Sequence, residues 1–77
     1  MKIHTYAVLK DFFDKEFVID DAVATVGNLQ AALAKKNPAA ANVLELCRFA
    51  VKDEFVTNDF ALQSQDEIHI IPPSSGG

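Results

Sequence analysis

The sequence predicts an α+β domain, a mixed sheet of about five strands wrapped over one main helix. Short alternating apolar runs lie towards both ends of the chain, and an apolar stripe at helical spacing lies between them. With 77 residues there is room for a single domain and no second core.

Ile3 to Leu9 reads as the first strand, with Ile3, Thr5 and Ala7 on one face and His4, Tyr6 and Val8 on the other. Lys10 to Lys15 is a charged turn carrying Phe12 and Phe13. Glu16 to Ile19 then returns as a second strand, and Asp20-Asp21 ends this first hairpin. Thr25 suits a helix N-cap, because its hydroxyl can accept from an orphan N–H of the first turn. Val26, Leu29, Ala32 and Leu33 form the apolar stripe, Lys35 and Lys36 suit the negative end of the helix dipole, and Asn37-Pro38 is a stop. Pro38 can open a second, short helical stretch towards Leu44. A second hairpin follows, Phe49-Ala50-Val51 and Phe55-Val56 about a Lys52-Asp53-Glu54 turn. Asn58-Asp59 is a further turn and Leu62 lies in a polar loop. Gln63 to Asp66 leads into the last strand, Glu67 to Ile71. In that strand Ile68 and Ile70 share one face, and Glu67, His69 and Ile71 the other. With the first pair on the helix, Ile71 lies on the outer surface, and the same parity puts Tyr6 and Val8 beside it. Such a Tyr–Ile–Val patch is a candidate docking surface, unless the chain's own loops cover it.

Composition excludes several function classes. A fold this small buries only about 60–65 % of its unfolded surface, which leaves little for a deep catalytic cleft, so an enzyme acting alone is not expected. Seven Lys and Arg against eleven Asp and Glu give a net charge of -4, and the basic residues are scattered, which argues against nucleic acid. Hydrophobic residues make up 49 %, so disorder is not expected, yet no apolar run approaches a membrane span. Met1 to Tyr6 has no signal-peptide character, and the expected compartment is the cytoplasm. The single Cys47 fits a reducing environment; it reads as a small buried hydrophobe, with an acyl or sulfur relay as the sharper alternative. His4 and His69 without cysteine partners make no metal site; they could lie near each other on the outer face and respond to pH, or simply be solvated. Asp11, Asp14, Asp20 and Asp21 read as a solvated rim, or as steering towards a basic partner. Lys10 could pair with an acidic group of a partner or stay solvated.

After Ile71 the composition changes abruptly, dividing residues 1–71 from a tail, Pro72-Pro73-Ser74-Ser75-Gly76-Gly77. The prolines favour a stiff, extended exit and the serines and glycines a slim thread. Gly76 and Gly77 lack a Cβ, so the backbone can pass a narrow channel and bring the terminal carboxylate close to a reacting centre. A carboxylate is inert until activated, and an ATP-using partner could convert it into an acyl-adenylate. The plain alternatives are a frayed, solubilising terminus or an appended remnant.

The element order and the terminal Gly-Gly resemble ubiquitin and the prokaryotic sulfur carriers, and the match narrows to the small subunits of molybdopterin synthase. Tyr6-Ala7-x-Leu9-Lys10-Asp11, Thr25-Val26-x-x-Leu29, Ala50-Val51 and Leu62-x-x-x-Asp66-Glu67-Ile68 resemble successive segments of that family, and Pro72-Pro73-Ser74-Ser75-Gly76-Gly77 closely resembles its terminus. The resemblance covers essentially the whole chain. It implies a ubiquitin-like β-grasp fold with an extended C-terminal tail. Gly77 would be adenylated by a ubiquitin-activating-like adenylyltransferase using ATP and converted to a thiocarboxylate by a sulfur donor enzyme. The tail would then enter the active site of the large synthase subunit, in an expected heterotetramer, and its sulfur would pass to cyclic pyranopterin monophosphate. Tyr6, Val8, Lys10, Ile71, Pro72, Pro73, Ser74 and Ser75 are the expected partner-binding positions. No bound cofactor, metal, nucleic acid or membrane is expected. Lys52 stands where the family usually has Asn, Gln65 where it has Gly, Ser74 where it has Val and Lys10 where it has Arg. A Gly at position 65 would signal a positive φ, so Gln65 raises the expectation of an altered loop. The competing readings are a carrier for another pathway such as thiamine thiazole synthesis, a protein modifier forming isopeptides, and a binding module with an idle tail. Pro72-Pro73 favours the first reading over the thiamine type.

Overall fold

The structure is a computed structural model that describes residues 1–73. Its elements run β1 (Lys2–Thr5), β2 (Glu16–Val18), α1 (Val26–Lys36), α2 (Ala41–Leu46), β3 (Arg48–Val51), β4 (Glu54–Val56) and β5 (Glu67–Ile71), with 3-10 turns at Ala7–Asp11 and Pro38–Ala40. The five strands form one sheet in the order β2-β1-β5-β3-β4. β1 and β5 are parallel at its centre, and every other pairing is antiparallel. This is the α+β, ubiquitin-like β-grasp arrangement that the sequence predicts, with α1 lying across one face.

The helix begins where Thr25 is expected to cap it. The Asn28 amide donates to the Thr25 hydroxyl at 3.2 Å. The Val26 and Gly27 amides, which have no helical acceptor, donate to the Phe60 and Asn58 carbonyls at 3.1 and 2.8 Å. The loop after β4 therefore completes the cap, and a bridge between Thr25 and Ala61 continues it. Gly27 permits that closeness, since a Cβ there would meet the Asn58 oxygen at 3.3 Å. Asn37 ends the helix and accepts from the Ala39 amide, starting the next turn. Val26, Leu29 and Leu33 are completely buried, and they pack with Ile3, Ile68 and Ile70 from the central strands and Phe49 and Val51 from β3. Ile68 and Ile70 thus face the helix, as their alternation predicts.

Two expected element bounds are corrected, the length of the first strand and the size of the second hairpin's turn. The first strand stops at Thr5 instead of running to Leu9, because Ala7 turns into the left-handed region at φ 53° and the chain coils into the 3-10 turn. The gain is packing: the turn buries Leu9 completely and lets the Phe12 and Phe13 amides both donate to its carbonyl at 3.0 Å. Gln65 does not sit at positive φ. The Asp66 carboxylate accepts from the Gln63 amide at 2.8 Å and closes that loop without a glycine. The second hairpin is also tighter than read. Lys52 and Asp53, at φ 53° and 66°, form the whole two-residue turn, and Glu54 already pairs with Val51.

Candidate functional site: the outer sheet face and the root of the tail

Among the described residues no helix covers the sheet face away from α1, and strand register determines what that face displays. One row crosses all five strands: Glu16 pairs with His4, His4 with His69, His69 with Ala50, and Ala50 with Phe55. On one flank Lys2 pairs with Glu67. On the other flank Arg48 pairs with Ile71, the last residue of β5. The face is therefore divided. Lys2, His4, Glu16 and Glu67 make a charged half, and Tyr6, Ala50, Phe55 and Ile71 make an apolar half that leads to the chain's exit at Pro72.

The charged half is wired by hydrogen bonds. His4 Nε2 donates to Glu67 Oε1 at 2.8 Å, and the His4 Nδ1 lies 3.9 Å from Glu16. Lys2 reaches Glu16 at 3.4 Å. The hydrogen bond from His4, aided by the nearby positive charge, holds the Glu67 carboxyl below its ordinary range. His69 stacks on His4 with ring centroids 4.3 Å apart and an interplanar angle of 9°. Its Nδ1 is 2.6 Å from the Tyr6 hydroxyl. The two histidines, which the sequence allows to be near each other, are in contact.

The apolar half is a groove of about 310 Å³ lined by Tyr6, Ala50, Phe55, His69 and Ile71, with Asp53 at its edge. That is the lower end of the ~300–1,000 Å³ of small-molecule pockets, a size that suits a side chain from a partner better than a substrate. Tyr6 is 40 % and Phe55 51 % exposed, so apolar area is available for docking. The Arg48 guanidinium lies 3.8 Å from the centre of the Phe55 ring and holds it in place.

Of the residues expected to bind a partner, Tyr6 and Ile71 are brought together in this groove. Pro72, next in the chain after Ile71, is buried and Pro73 is exposed. Val8 is exposed, but it sits on the 3-10 turn and does not line the groove, so strand parity does not place it beside Ile71. Lys10 is exposed on the same turn, beside a separate hollow that includes Phe13 and Lys36. Ser74, Ser75, Gly76 and Gly77 lie outside the described residues. Phe55, Ala50 and Arg48 were not anticipated, although extending the alternation of β5 to the second hairpin would have found them. Cys47 is half-buried and packs against the core, as a small hydrophobe does. Among the described residues no group of three or more His, Cys, Asp or Glu could hold a metal ion, and no helix is long and apolar enough to cross a membrane.

Comparison with known proteins places these features in a family context. The model of the ThiS family matches residues 3–77. The chain is 35 % identical to the molybdopterin synthase sulfur carrier subunit of Dictyostelium discoideum, covering 99 % of this chain and 94 % of that protein. It is 36 % identical to the corresponding subunit of Chlamydomonas reinhardtii, covering 83 % and 78 %. Among solved structures it is similar to SAMP1 from Haloferax volcanii, with a TM-score of 0.78 and 26 % identity over 99 % of this chain and 97 % of that one. A chain from the complex of subunits 1 and 2 of the molybdopterin-converting factor of Helicobacter pylori shares the fold, with a TM-score of 0.69 and 21 % identity over 99 % and 96 %.

Proposed function

The chain belongs to the ThiS family, and from that membership we propose that it is the sulfur-carrier subunit of molybdopterin synthase. The observation that carries this reading is the near full-length similarity to two curated sulfur carrier subunits of that enzyme. The fold is compatible with it, because the hollows found among the described residues are all open to solvent and the last strand leads directly into Pro72-Pro73.

The chemistry then belongs to the end of the chain. The Gly77 carboxylate attacks ATP on a ubiquitin-activating-like partner, pyrophosphate leaves, and an acyl-adenylate forms. A sulfur donor displaces AMP and leaves a thiocarboxylate, whose sulfur stays anionic near neutral pH. The large synthase subunit provides the pocket and the acid–base groups. Within it the sulfur passes to cyclic pyranopterin monophosphate and the glycine carboxylate is restored. A dithiolene needs two sulfurs, so the carrier must dock, discharge and leave. In this reading Gly76 and Gly77 thread the channel, Pro72 to Ser75 span it, and the groove at Tyr6 and Ile71 seats the large subunit. Because the carrier supplies a reactive end and not a pocket, it is not an enzyme by itself.

The test is intact mass after incubation with the activating enzyme, ATP and a sulfur donor. Replacement of one terminal oxygen by sulfur is expected, as is loss of molybdenum-cofactor synthesis when Gly77 is deleted. Adducts with lysines of other proteins would identify a modifier instead. Cofactor synthesis that survives the Gly77 deletion would rule the carrier reading out.

A further inference from the structure

The stacked histidines stand on the border between the two halves of the outer face, and their surroundings differ. His4 is flanked by carboxylates, Glu67 on one ring nitrogen and Glu16 facing the other. A proton on His4 is therefore balanced where it sits, on the charged side. His69 is a wall of the apolar groove, and its Nδ1 is occupied by the Tyr6 hydroxyl. With the His69 ring neutral and its proton on Nε2, Nδ1 accepts from that hydroxyl and the groove carries no charge on this wall. With the ring protonated, Nδ1–H donates to the tyrosine oxygen, and a cation lines the surface that a partner must desolvate.

We propose that His69 makes docking of the large synthase subunit on this face responsive to protons: the complex forms with His69 neutral and weakens when His69 takes up a proton. The inference rests on the carrier reading, which supplies the docked partner. The charged and titratable groups around His69 come from every neighbouring element. They are Lys2, His4 and Tyr6 on and just beyond β1, Glu16 on β2, Arg48 on β3, Lys52 and Asp53 on the turn after it, Asp66 just before β5, where it accepts from the Gln63 amide, and Glu67 on β5 itself. Glu16 and Glu67 are committed to His4 and Lys2. Asp53 is the carboxylate that shares the groove with His69, and Arg48, over the Phe55 ring, is already a cation. Charging both imidazoles would also set two like charges face to face at the stacking distance of 4.3 Å. A free carrier, whose half-buried rings still reach water on the open face, can relieve that repulsion by moving apart; a docked one cannot.

The experiment is the affinity of the chain for the large subunit between pH 5.5 and 8. Binding is expected to be about tenfold weaker at the acid end, the cost of charging one imidazole in a partly desolvated contact. His69→Asn keeps an acceptor near the position of Nδ1 and cannot titrate, so its profile is expected to be flat whatever its absolute affinity. His4→Gln is expected to keep the slope. By reciprocity, the NMR titration midpoint of His69 should fall by about one pH unit in the complex, a measurement on the unaltered chain that stands even if a variant fails to fold. A flat profile for the unaltered chain, a His69→Asn profile as steep as the original, or equal midpoints free and bound would overturn the inference alone. No binding at any pH, in a chain that still forms the thiocarboxylate, would overturn the docking partner and this inference together.

Discussion

The Cys47 thiol donates to the Val43 carbonyl at 3.1 Å, one helical turn back at the end of α2, and its sulfur packs against the core. Burial pushes this thiol up to about 11, so the neutral form dominates throughout the physiological range. The thiolate is the reactive form, and it grows as pH rises towards that value. Alkylation at pH 7.5 should therefore run roughly a hundredfold slower than at an exposed cysteine and accelerate with pH to beyond 10. Cys47→Ala should leave sulfur transfer intact, and loss of transfer in that variant would revive the relay alternative. The sequence was informative here, since a single cysteine read as a small buried hydrophobe, and its one basic neighbour, Arg48, lies over the Phe55 ring instead. It was less informative for His4 and His69. They are 65 positions apart by number, and only the parallel register of β1 on β5 stacks them.

Among the elements, helix α1 was legible from end to end because its signals are local: a hydroxyl at Thr25, a stripe at helical spacing and a proline at position 38. The strand before it was misread beyond Thr5 because period-two alternation through Leu9 also satisfies a short strand followed by a 3-10 turn. Tertiary packing of Leu9 and Phe12 decided between them. The β3–β4 hairpin offers a sharper test. Its two turn residues, Lys52 and Asp53, both occupy the left-handed region, which Asn-Gly fills with least strain. Asp53→Gly should raise stability by about 0.5–1 kcal/mol in urea unfolding. An unchanged or lower midpoint would mean that the Asp53 side chain, at the edge of the groove, contributes more than its backbone costs.

For the whole molecule, the proposed reading gives the two sheet faces separate duties, a packed core on one and docking on the other, and substitutions should separate them. Leu29→Ala opens a void beneath the sheet and should cost about 2–5 kcal/mol of stability. Ile71→Asp sits on the opposite face; it should cost about 1 kcal/mol or less and yet abolish copurification with the large subunit. If Ile71→Asp unfolds the domain, or leaves the complex intact, the division of faces is wrong. This division was half legible. The alternation of Glu67 to Ile71 revealed which side Ile71 takes, but the groove also needs Ala50, which arrives through the pairing of β3 with β5, and Phe55, which arrives through the pairing of β4 with β3, and neither pairing is visible to any single segment. The placement of β5 between β1 and β3, bonded to both, has a mechanical consequence. A partner that draws the tail into a channel pulls along the axis of a strand bonded on both sides, so the load is taken in shear by two ladders at once and cannot peel one bond after another as it would at an edge. Under the proposed function, such a carrier would be tugged into and out of successive partners by its end while the outer sheet face keeps its shape.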